Sequence, residues 1–98
     1  MDFEHDIMVT LREVGPKGLP LRLIALNVFN MRNSLFEPLD KDVVYAEVGD
    51  YLRRVTQLSG AAIERAETRG WYRLNLNSQQ VQQLLLEFQV AEEDEWML

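Results

Sequence analysis

The stretch Ala62–Leu76, AIERAETRGWYRLNL, constrains the chain most. Residues Ile63 to Arg65 and Trp71 to Leu76 alternate with period two on either side of the turn Glu67–Gly70. That pattern predicts a β-hairpin. Placing Ile63 opposite Leu74 sets Glu64 against Arg73, Arg65 against Tyr72 and Ala66 against Trp71. Ile63, Tyr72 and Leu74 then share the inner face. Glu64 and Arg73 form a cross-strand ion pair outside, worth roughly 0.2–1 kcal/mol. Gly70 ends the turn, where a positive φ is easy only for glycine. Arg69 sits at the tip, either as a phosphate contact or as part of a solvated turn.

Helical periodicity dominates the rest of the chain. Residues 2–14 place Phe3, Ile7, Thr10, Leu11 and Val14 on one stripe. Asp2, Glu4 and Asp6 crowd the first turn, where they favour the helix dipole, and Gly15-Pro16 ends the segment. Met8 and Val9 lie off the stripe, so this helix is buried on two sides or meets a partner. Lys17-Gly18-Leu19 is a short connection able to pair as an extra edge strand. Pro20 suits the first turn of a second helix over 20–32, with Leu21, Ile24, Ala25 and Val28 inward and Asn33 as its C-terminal cap.

The segment 33–39, NSLFEPL, is longer than a tight helix-turn-helix turn. Leu35 and Phe36 within it either fold back on the body or form a docking patch. Asp40 caps a third helix over 41–58, and Leu39 with Val44 makes a hydrophobic staple. Its buried stripe is Val44, Val48, Tyr51, Leu52 and Val55. The opposite face carries Asp42, Ala46, Asp50, Arg53 and Gln57, with Lys41 and Arg54 beside it. Gly49 inside this helix costs up to about 1 kcal/mol relative to alanine. After the hairpin, Ser78 caps a fourth helix over 79–91, in which Val81, Leu84, Leu85 and Phe88 repeat at helical spacing. Leu86 and Val90 fall off that stripe, which points to an interface such as a homodimer through the first and fourth helices.

A chain of 98 residues with 47% hydrophobic content supports one core. The expected domain covers 1–91, and the tail 92–98 reads as a detachable, disordered end. With no cysteine, the chain has no disulfide, thiolate metal site or cysteine nucleophile. No apolar run approaches the roughly 18 residues of a membrane span, and MDFEHD lacks a signal-peptide pattern. A cytoplasmic protein without a membrane partner is the expectation. His5, the single histidine, falls on an N-terminal turn and is read as solvated. There is no supported carboxylate pair, glycine-rich phosphate loop, Ser/His/Asp set or metal-ligand spacing. Neither enzymatic activity nor a cofactor is expected.

The formal net charge of −6 counts against nucleic-acid binding, which depends on neutralising phosphates. The charge is unevenly spread. Glu92, Glu93, Asp94 and Glu95 lie together at the C-terminal end, whereas Arg53, Arg54, Arg65, Arg69 and Arg73 cluster against only Glu64 and Glu67. A basic patch persists on an acidic protein because exposed charges beyond about 10 Å are largely screened. The acidic run, followed by Trp96-Met97-Leu98, is either a frayed end or a phosphate mimic folding over the basic hairpin.

This order of elements resembles a winged helix-turn-helix domain: three helices, a β-hairpin wing and an added C-terminal helix, an α+β fold that is mainly α. Within that class the chain is most similar to the HARE-HTH type. Leu19-Pro20-Leu21-Arg22-Leu23-Ile24-Ala25 matches a short strand leading into a helix with an Ile-Ala pair. Ile63-Glu64-Arg65 and Gly70-Trp71-Tyr72-Arg73-Leu74 match a wing ending in an aromatic residue and a leucine. The resemblance covers about residues 3–76 and implies nucleic-acid association in a regulatory protein. The long 33–39 loop, the acidic balance and the fourth helix depart from it. Under this reading Lys41, Arg53, Arg54 and Gln57 on the third helix and Arg65, Arg69 and Arg73 on the wing contact double-stranded DNA. The alternative is a protein-interaction module without DNA binding, using Leu35, Phe36, Leu86 and Val90.

Overall fold

The first helix, α1, spans Glu4–Val14, with Glu4 and Asp6 in its first turn. The computed structural model describes residues 3–33 and 38–96, and the side chains of its last helix as far as Glu87. Phe3, Ile7, Thr10 and Leu11 are buried as the periodicity requires. The Thr10 hydroxyl donates to the Asp6 carbonyl at 2.9 Å, so its burial leaves no unmet donor. Val14 is 38% exposed rather than buried. It is the last helical residue, and the chain turns away in a single tight turn at Gly15–Lys17.

Strand β1 is the two-residue Leu19–Pro20, and helix α2 follows over Leu21–Arg32. Ile24, Ala25 and Val28 are its buried face. Asn33 closes α2: its N–H donates to the Phe29 carbonyl at 2.8 Å. Its side-chain oxygen accepts from the Leu39 N–H at 2.8 Å, which ties the two ends of the following loop together. Leu35 and Phe36 within that loop lie outside the described residues.

Helix α3 spans Lys41–Val55, and the Asp40 carboxylate accepts from the Asp42 N–H at 2.8 Å as its cap. The helix ends at Val55, short of the expected 58. The Thr56 hydroxyl donates to the Leu52 carbonyl at 2.7 Å, and the Gln57 and Leu58 N–H groups reach back to Arg54 and Val55 in tight turns. Gln57 therefore sits beyond the helix rather than on its face.

Strands β2, Ile63–Arg65, and β3, Trp71–Leu74, form the hairpin in the expected register. Strand β1 adds to the other edge of β3, with Leu19 opposite Tyr72 and Pro20 opposite Trp71. The result is a three-stranded antiparallel sheet in the order β1-β3-β2. Helix α4 runs over Gln79–Trp96, past the expected end at 91. No glycine or proline interrupts residues 79–96, so the helix continues although Glu92–Glu95 oppose its dipole there.

The architecture is a mainly helical α+β fold around one core. Ile7, Leu11, Ile24, Val28, Val44, Val48, Leu52, Ile63 and Val81 are each almost fully buried, so all four helices and β2 contribute. Each such side chain stabilises the fold by about 1.5–3 kcal/mol in transfer terms. Met8, off the stripe, is only 3% exposed because α4 covers it, with Gln80 reaching its sulfur and Glu4. Helix α1 is thus buried on two sides within the chain. The buried Asp6 carboxylate accepts from Arg32 Nε and joins α1 to the end of α2.

Candidate nucleic-acid interface

The hairpin register decides where its arginines point. Ala66 N–H donates to the Trp71 carbonyl at 2.9 Å, and Trp71 N–H to Thr68 at 3.0 Å, which closes the loop. Gly70 takes φ +82° there. Arg69 is exposed in this loop, and Arg65 is exposed where β2 enters it. Neither has an ion-pair partner among the described residues. Arg73 differs: its Nε donates to Glu64 Oε1 at 3.3 Å across the strands. The cross-strand pair forms, and its carboxylate offsets the charge Arg73 offers a phosphate.

The outer face of α3 is less basic than its arginines suggest. Arg53 is paired with Asp50, one turn before it. The Arg54 guanidinium lies 5.8 Å from the Tyr51 ring centroid, and the Lys41 ammonium 5.2 Å from that of Phe29. Asp42 is exposed beside Lys41. Val43 and Tyr45 on the same helix are 53% and 48% exposed, so the face is mixed apolar and charged.

Two basic residues join these groups without having been singled out by pattern. Lys17 lies 5.7 Å from the Trp71 ring centroid, brought there by the β1–β3 pairing. Arg22 and Lys41 share a small pocket of about 180 Å³ with Leu26, Phe29, Asp42 and Tyr45. A basic residue beside the edge strand was a usable signal for Lys17. Nothing local marks Arg22, since the charged groups beside it come from α3. Of the expected interface residues, Leu86 is 56% exposed, and Val90 lies in α4 beyond the described side chains.

No helix among the described residues is long and apolar enough to cross a membrane. Among those residues, no group of three or more His, Asp or Glu side chains is placed to hold a metal ion. No family model, curated protein or solved structure matches the chain.

Proposed function

We propose that the chain is a winged helix-turn-helix module that binds double-stranded DNA through its hairpin. The observation that carries this reading is the hairpin loop, where Arg65 and Arg69 stand exposed without a carboxylate partner among the described residues. The order helix, strand, helix, helix, hairpin and the sheet order β1-β3-β2 support it. In such a module the hairpin touches the phosphate backbone and α3 faces the major groove. Arg54 and Lys41 then add phosphate contacts, while Arg53 and Arg73 contribute less because Asp50 and Glu64 hold them.

Fluorescence anisotropy of a labelled mixed-sequence duplex, at low and near-physiological salt, tests the reading. Salt-sensitive binding is expected. Changing Arg65 and Arg69 together to Glu should weaken it and lower the salt slope by about one per lost contact. Absence of binding at low salt refutes the proposal.

A second reading, a protein-interaction module, draws on a different observation. Leu26 and Tyr45 are exposed beside Phe29, on the face of α2 and α3 that would otherwise meet DNA. Leu86, exposed on α4, extends this reading to a second copy of the chain. Sedimentation over a range of concentrations tests that self-association, and a monomer throughout removes it.

A further inference from the structure

A cavity of about 400 Å³ opens where the end of α1, the outer face of the hairpin and α4 meet. Leu76 and Leu85 present its apolar surface, over the buried Leu11 and Leu74. Small-molecule sites of roughly 300–1,000 Å³ combine such walls with a few placed polar groups. Here those groups are the Arg12 and Arg73 guanidiniums and the Glu64 carboxylate.

Arg73 is the decisive side chain. Only its Nε is engaged, at 3.3 Å from Glu64, and its two terminal nitrogens have no acceptor among the described residues. A guanidinium fork matches a carboxylate through two parallel N–H donors. Leu76, 59% exposed beside it, presents apolar surface that a ligand chain would cover. We propose that this cavity binds a small amphipathic carboxylate, its apolar chain on the leucines and its head on Arg73. The site is separate from the hairpin loop and does not depend on DNA binding. A ligand there would bridge β3, α1 and α4, so it would also raise the melting temperature.

Decanoate, titrated below its aggregation threshold into ¹⁵N-labelled protein, is the probe, with decanol as its uncharged control. Saturable shifts at the amides around Leu11, Arg73, Leu76 and Leu85 are expected, with decanol about tenfold weaker. Arg73→Gln should weaken decanoate about tenfold and leave decanol unchanged. Glu64→Gln removes the opposing charge and should tighten decanoate, which keeps the proposal open to refutation if the arginine variant does not fold. Equal affinity for decanoate and decanol would overturn it. So would an absence of saturable shifts, or shifts centred on the α2–α3 pocket. Concentration-dependent shifts at the same leucines without ligand, matched by dimers in sedimentation, would assign the cavity to a second copy and overturn it too.

Discussion

Replacing Gly18 with alanine measures how closely β1 is held against β3. Gly18 has φ +80° and ψ −169°, a conformation open essentially to glycine alone. A Cβ placed there would lie 2.3 Å from the Tyr72 carbonyl oxygen, 2.9 Å from its carbon and 3.3 Å from the Arg73 Cβ. The first two atoms are backbone of the central strand, so they cannot swing aside. Gly15 supplies the control. Its φ and ψ, +79° and −160°, are nearly the same, yet a Cβ there meets nothing within 4 Å. Both alanines carry a backbone strain of about 1–3 kcal/mol. Both also restrict the unfolded chain, by about 0.4–1 kcal/mol each, so that contribution largely offsets in the difference even though Gly15 precedes Pro16. Gly18→Ala alone adds steric overlap, about 1–3 kcal/mol by comparison with overpacked cores. Urea denaturation of the two variants should therefore separate them by about 1–3 kcal/mol, with Gly18→Ala the weaker. In a thermal melt it should fall at least about 4 °C below Gly15→Ala. Midpoints that coincide within about 0.5 kcal/mol would refute the close approach and leave only the shared strain.

Gly49→Ala should stabilise α3 by up to about 1 kcal/mol, because the new methyl would meet Leu21 at an ordinary 3.4 Å; a lower urea midpoint would contradict this. Asp40→Ala removes the cap of α3 and should cost about 1 kcal/mol by the same assay. Asp6→Ala takes the carboxylate from Arg32 and should cost about 1–2 kcal/mol, reduced from a fully buried pair because Arg32 is partly solvated. Asp50→Asn should raise duplex affinity a few-fold in the anisotropy titration, since it removes a repelling charge and releases Arg53.

Much of the fold could be read from local pattern. Alternation and the Glu64–Arg73 charge match set the hairpin register, Asp40 marked the start of α3 through its carboxylate, and Asn33 marked the end of α2, which its backbone N–H closes. What escaped the sequence depended on neighbours distant in the chain, or on competing local bonds. Burial of Met8 needs α4 laid across α1. The end of α3 at Val55 reflects the switch to three-residue turns at Gln57 and Leu58, where periodicity alone continues to 58. The candidate site was legible residue by residue but not in its charge balance. The Glu64–Arg73 pair was legible from the hairpin register, but Arg53 read as a cation, and only the folded geometry couples it to Asp50. Arg22 became visible only once α2 and α3 were packed together. The leucine-walled cavity likewise has no sequence signature, because its walls come from α1, the end of β3, the turn after it and α4.

The strand order also sets a timetable for synthesis. Both β1 and β2 pair only with β3, the last strand to leave the ribosome. Until residues 71–74 emerge, Leu19 and Ile63 have no strand to join, however well the first three helices have gathered. The sheet closes at its middle strand, and the same few residues complete the hairpin and fasten it to the segment that leads into α2.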